Sequence, residues 1–363
     1  MFVISRNTAF TYQGKRVETK QVGRELGVRY VLEGSFRRLG NQIRVNAQLI
    51  DAETDAHLWA ERFDGDMGDL FALQTEITSR IAVALGYELL SAEAARPTER
   101  PDVLDYILRA RAANERSPSR DRNAEVIRLY ERALALDPRS AEAQAGLAGI
   151  LANNVLDDMT ETAAVDMAHA EFLAGQALAA APRSPGVHWA KGQILRAQRR
   201  YIEAIPEYEA VLASNRNSAR ALFCLGQCKL FAGLIEETIP LIERAIRLSP
   251  RDPRPGAWYS TIGMVHLLRS RTDEAVTWLE KARNTTPLHA QIRAQLAAAY
   301  ALSGETERAA AELAEARRLS CDDRYTSLAR LQAVLSYWGV PKVRALFEAT
   351  YFTGLRLAGM AEQ

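Results

Sequence analysis

Three cysteines among 363 residues are too few for a disulfide framework. Cys224 and Cys228 lie one helical turn apart, Cys321 is distant, and no further His or Cys stands near them. They read as small buried side chains in a reducing compartment rather than as metal ligands. No run of about 18 apolar residues occurs, so no membrane-crossing helix is expected. Met1 to Arg6 lacks the apolar core of a signal peptide, which points to the cytoplasm. A formal net charge of +1 leaves no electrostatic footprint for nucleic acid or an anionic membrane. There is no Gly-x-Ser-x-Gly, phosphate loop or dinucleotide fingerprint. His57, His169, His188, His266 and His289 stand apart, with no i,i+4 partner. Asp64, Asp66 and Asp69 invite a calcium reading, but Thr75 sits where an EF-hand loop needs glutamate. An acidic turn capping a helix from Leu70 explains them better. No catalytic residue, cofactor or metal is expected.

What the chain has is repetition. Gly192 returns as Gly226, Gly263 and Ala297, at spacings of 34, 37 and 34 residues. Ala204, Thr238, Ala275 and Ala309 keep step, followed four residues later by Tyr208, Ile242, Leu279 and Leu313; Pro250 and Pro287 close their units. Small, small, large and proline at these offsets is the tetratricopeptide (TPR) pattern. The small pair lets two antiparallel helices approach, the large residue fills the seam, and the proline ends the second helix. No such hairpin buries its apolar face alone, so neighbours must stack.

The expected fold is therefore mainly α, a TPR helical solenoid preceded by a small α/β domain in residues 1–96. That domain reads as a strand at Phe2-Val3-Ile4 and a helix from Val17 ending at Gly27. Strands follow at 30–38, 43–49 and 57–63, then a long amphipathic helix at 70–90. Two prolines within 94–101 mark a boundary. Residues 102–323 divide into about six units, 105–138, 141–182, 185–218, 219–252, 256–289 and 290–323. The second carries about ten extra residues around 153–162, expected as a loop between its helices. Residues 324–363 are expected to be a helix pair capping the open end.

Val22-Gly23-Arg24-Glu25-Leu26-Gly27-Val28, Tyr30-Val31-Leu32-Glu33-Gly34-Ser35-Phe36, Arg44-Val45-Asn46-Ala47-Gln48-Leu49 and His57-Leu58-Trp59-Ala60-Glu61-Arg62-Phe63 form one recognisable series. It resembles the TolB-like amino-terminal α/β domain of bacterial class III adenylate/guanylate cyclase-type proteins that also carry TPR repeats. Tyr351-Phe352-Thr353-Gly354-Leu355-Arg356-Leu357 is similar to the ending of that group. In the resembled family the α/β domain opens with a further strand and helix, and a cyclase domain precedes it. Neither is matched here, so the resemblance implies an apparently truncated α/β domain and the non-catalytic half of such an architecture. The same domain also follows winged-helix domains in some transcription regulators. That leaves an effector-sensing region as the alternative, along with a cyclase name carried by homology alone. A sheet without that strand and helix should leave one face, lined by Val3, Leu32 and Val45, under-covered. Self-association through it is a possible outcome.

For a TPR array the usable surface is the concave groove lined by the first helix of each pair. The landmarks put Trp189, Gln193, Arg196, Arg220, Phe223, Gln227, Ser260, Met264 and Leu267 there. Aromatic, Met and Arg side chains are enriched at binding surfaces. A protein or peptide partner, an apolar or mixed segment laid in as a helix, is expected. The competing reading is that Trp189, Phe223 and Met264 pack between repeats.

Overall fold

The structure, a computed structural model, describes residues 4, 8–9, 11–12, 17–66, 70–96, 101–250, 252, 254–320, 322–334 and 339–363. Two compact units divide the chain, residues 1–97 and 98–363. The expected strand at Phe2 and Val3, the cap at Asp69, and Cys321 lie outside the described residues.

In the first unit, α1 (Thr19–Leu26) ends at Gly27, whose φ of 64° and backbone bond back to Gly23 form the expected left-handed cap. Three strands follow as an antiparallel meander in the order β1-β2-β3: β1 (Tyr30–Leu39), β2 (Gln42–Asp51) and β3 (Ala56–Asp66). Leu32, Leu49 and Trp59 pair across the sheet, as do Phe36, Val45 and Phe63, so one face is apolar. The opposite face is polar. There Gln48 donates to Glu33 (2.9 Å), Asn46 to Ser35 (3.1 Å) and Arg44 to Asp64 (2.6 Å). Asp64 and Asp66 therefore belong to β3, not to an acidic loop.

The long helix α2 (Leu70–Ala94) meets the apolar face at β3, where Arg80 pairs with Glu61 and lies 4.9 Å from the Phe63 ring centroid. Ile43, Leu49 and Phe63 are buried, but Leu32 and Phe36 on edge strand β1 remain 47% and 62% exposed. The under-covered face is present at Leu32, while Val45, opposite Phe36 on the same face, is half-buried.

The second unit is helical hairpins in series. Its helices are α3 (Val103–Glu115), α4 (Arg120–Leu136), α5 (Ala141–Leu156), α6 (Ala163–Ala180), α7 (Pro185–Ala197), α8 (Tyr201–Ser214), α9 (Ala219–Phe231), α10 (Thr238–Leu248), α11 (Pro255–Leu268), α12 (Thr272–Thr285), α13 (Ala290–Leu302) and α14 (Thr306–Leu319). Starts are written in local chemistry. Asp102 and Asp105 form a capping box, Ser119, Ser140 and Ser218 accept N–H bonds at N-caps, and Pro185 and Pro255 open α7 and α11.

The seams follow the repeat. Tyr208, Ile242, Leu279 and Leu313 are buried, with Ala204, Thr238, Ala275 and Ala309 beside them. A Cβ on Gly192 would come within 2.8 Å of the Tyr208 ring, and one on Gly263 within 2.6 Å of Leu279.

Two features depart from expectation. The extra residues of the second repeat are not all loop, because α5 continues to Leu156 and α6 is long. Buried Asn123 of α4 donates to Asn154 (2.6 Å), which holds that last turn in place. The connection closes with Asp158 at φ 53° and the Met159 N–H on the Asn154 carbonyl (2.8 Å).

The second departure is at the C-terminus. α15 (Leu328–Val334), α16 (Pro341–Phe347), a π-helical turn (Glu348–Phe352) and α17 (Thr353–Leu357) do more than cover the last hairpin. The Val340 N–H bonds the Phe231 carbonyl at the end of α9 (3.0 Å), and the Phe347 ring stacks 6.4 Å from that of Phe231. The π turn packs against α11 and α13, and Gly354 lies against the Ala298 backbone. Tyr351, Phe352 and Leu355 are buried in one cluster with Leu230, Met264, Leu267 and Tyr300. The segment thus lies along the first helices of successive hairpins.

Candidate partner-binding groove

The nine residues assigned to the groove separate into two groups. Met264 and Leu267 are 3% and 0% exposed and belong to the cluster that the C-terminal segment fills. Ser260 is buried and donates to Gln295 of α13 (2.6 Å). Gln193 is buried and accepts from the Tyr208 hydroxyl (3.0 Å). These four offer no surface to a partner. Their landmark spacing is right, but the chain lays its own apolar segment over Met264 and Leu267, and Gln193 and Ser260 are taken up by Tyr208 and Gln295. Trp189 and Phe223 are half-buried and pack between elements. Trp189 meets the Tyr208 ring edge-on at 5.7 Å and lies over Gly149 of α5, and Phe223 lies 6.1 Å from Trp258 of α11.

Arg196, Arg220 and Gln227 are the half-buried polar members. Arg196 donates to Gln193 (2.7 Å), to the Cys224 sulfur (3.3 Å) and to Gln227, while Gln227 reaches Thr261 of α11 (3.4 Å). A polar ladder therefore links α7, α9 and α11. Cys224 and Cys228 are free and buried, and burial pushes the Cys228 thiol up to about 12. Arg220 pairs with Glu115 (3.0 Å) and donates to the Asn114 carbonyl (3.0 Å), at the far end of α3.

Between these arginines sits the α5–α6 connection. Asp157 is exposed to solvent, yet surrounding protein holds its carboxyl above the usual carboxylate range, against the pull of Arg196, Arg122, His289 and Arg220. Those four come from α7, α4, the start of α13 and α9, so the charges that act on this carboxyl belong to different hairpins. Asp158 pairs with Arg324 beyond α14 (2.7 Å). Arg122 is 6% exposed, its NH1 bonds Asn114, and its Nε has no hydrogen-bond partner among the described residues. Arg122, Asp157, His289 and Arg324 were not assigned to the groove from sequence. The lengthened second repeat was their one signal. Among the described residues no group of three or more His, Cys, Asp or Glu is placed to hold a metal. No described helix is long and apolar enough to cross a membrane.

A tetratricopeptide repeat family model matches residues 168–219 and 189–253. The helical unit is a TPR solenoid. The TPR chain is 38% identical over 208 residues to "Putative adenylate cyclase 3" of Rhizobium meliloti (strain 1021), covering 56% of this chain and 35% of that protein. It is 29% identical over 150 residues to the "Cell division cycle protein 27 homolog" of Caenorhabditis elegans, covering 37% of this chain and 19% of that protein. This TPR chain therefore spans about a third and about a fifth of those relatives' lengths. A chain in the crystal structure of the APC/C hetero-tetramer Cut9-Hcn1 has a similar fold. Its TM-score is 0.51 at 14% identity, over 72% of this chain and 46% of that one.

Proposed function

We propose that the TPR unit is a non-catalytic protein-interaction scaffold acting in the cytoplasm as the sensory or regulatory half of a cyclase-type signalling protein. The observation that carries the scaffold reading is the inner wall of Arg196, Arg220, Gln227 and Trp189, drawn from successive first helices and half-open to solvent. Such walls bind extended or helical segments of other proteins. The cyclase link rests on the likeness to the Rhizobium meliloti protein and on the series from Val22 to Phe63. In this reading residues 1–96 are a TolB-like domain, and the apolar edge at Leu32 and Phe36 gives it a route to self-association.

The test is affinity capture with the immobilised full chain, compared with Arg196→Gln and with Trp189→Ala/Phe223→Ala. Partners lost from Arg196→Gln at unchanged melting temperature support the scaffold. Partners retained by every folded variant count against it. Cyclic-nucleotide production from ATP or GTP by the purified chain should be absent; measurable turnover would overturn the non-catalytic assignment.

A further inference from the structure

We infer that the basic hollow of the TPR solenoid binds an acidic protein segment, and that the Asp157-Asp158 tip of the α5–α6 connection is a built-in competitor for it. This deepens the scaffold reading and rests on it. Arg122 and Arg196 form no ion pair among the described residues, although both are largely withdrawn from water. Arg122 is the more exacting of the two, since its Nε is buried without a partner among the described residues. Withdrawn guanidinium groups of this kind favour a carboxylate that can supply paired acceptors.

The chain itself indicates the chemistry that fits. Two consecutive aspartates stand on a connection longer than its counterparts, which Asn123, next to Arg122 on α4, holds through Asn154 (2.6 Å) and the Met159 sulfur (3.2 Å). Arg122 and Arg220 both bond Asn114, and Asp158 pairs with Arg324 (2.7 Å). Asp157 is solvent-exposed and forms no ion pair among the described residues, and Arg196 and Arg220 are half-open to solvent, so a peptide carboxylate has a path to those two arginines. The apolar half of the inner surface is closed to an incoming segment, because residues 340–358 already fill it. The open half is the charged one. A nucleic acid would offer phosphates to the same arginines, but Asp252 and Glu115 beside Arg220 disfavour a long uniform polyanion. A short segment whose carboxylates meet the arginines singly suits the mixed wall better.

Displacement makes the idea measurable. While the tip occupies the hollow, apparent affinity falls by the fraction of time the site is free. The experiment is fluorescence anisotropy with the full chain and a short labelled Asp/Glu peptide, an Asn/Gln peptide of equal length, and a single-stranded oligonucleotide. D157N/D158N should bind the acidic peptide about tenfold tighter than the unaltered chain. R196Q should weaken it, and raising salt from about 0.05 to 0.3 M should weaken both, as screening requires. Should D157N/D158N not fold, R324Q releases Asp158 from outside the connection and should also tighten binding. Equal affinity of D157N/D158N and the unaltered chain overturns the competitor. Equal binding of the Asn/Gln peptide, or preference for the oligonucleotide, overturns the acidic-segment assignment. If no form binds the acidic peptide while Arg196-dependent capture persists, this inference falls and the scaffold reading stands.

Discussion

Arg220, at the start of α9, forms an ion pair with Glu115, at the end of α3, across 105 residues of sequence and two intervening hairpins. Its second nitrogen rests on the Asn114 carbonyl, where the free carbonyls of a helix end favour a cation. The contact ties the first hairpin to the fourth across the inner side of the array. Both side chains are partly buried, so a double-mutant cycle with Arg220→Gln and Glu115→Gln should give a coupling of about 1 kcal/mol. Urea denaturation of the four proteins measures it; zero coupling would mean the pair is incidental.

Asp252 lies in the electrostatic reach of that pair. Burial pushes its carboxyl up to about 6, against the pull of Arg220 and a hydrogen bond from Ser249, with Glu115 adding to the rise. Because the folded value exceeds the ordinary 3.8, protonation favours the fold. This contribution is whole below about 3.8 and lost as pH rises through about 6. Asp252→Asn keeps an acceptor for the Arg254 N–H, which Asp252 bonds at 2.9 Å. The variant should melt with the parent at pH 4 and above it at pH 7. Thermal scans across that range decide the matter, and a gap that narrows toward pH 7 would refute the assignment.

The seam glycines should rank by what stands opposite. Gly263→Ala and Gly192→Ala drive a methyl into Leu279 and Tyr208, at 2.6 and 2.8 Å, and should cost about 1–3 kcal/mol. Gly226→Ala comes no closer than 3.1 Å, to the Ile242 Cγ1, and the helix-propensity gain of about 1 kcal/mol should offset most of that crowding. Equal losses at all three positions, read from chemical denaturation, would contradict the geometry.

Phe347→Ala and Tyr351→Ala remove fully buried rings from the C-terminal segment and should each cost about 3–5 kcal/mol. A loss below about 1 kcal/mol would mean that the segment is a loose lid rather than part of the core.

On the first unit, Leu32→Lys/Phe36→Lys should abolish concentration-dependent association seen by sedimentation velocity, with little change in melting, since both positions are exposed. A parent chain that sediments as a monomer throughout would remove the self-association proposal.

The hairpins were legible in sequence because their grammar is local. Gly192 and Tyr208 sit at fixed offsets within one repeat and meet for that reason. The meander was equally open to reading, since Val45 alternates with Arg44 and turn residues separate the strands. What escaped was everything set by long-range return. Met264 and Leu267 have the spacing of groove residues, and nothing within their repeat says that Tyr351 and Phe352 come back to the same cluster. Arg122 and His289 carry no motif either, and only curvature sets them around Asp157. The lengthened second repeat was visible, but its placement depended on Asn154 finding Asn123.

The bond from Val340 to Phe231 changes how this array should come apart. Repeat proteins ordinarily fray from their ends, each unit leaning only on the next, so that stability adds up along a line. Here the segment from Val340 onward staples itself to the fourth hairpin, and the trailing hairpins cannot peel away without breaking that staple. Melting should accordingly involve the trailing half as one block, and removing the tail would restore the gradual unzipping that an unstapled array allows.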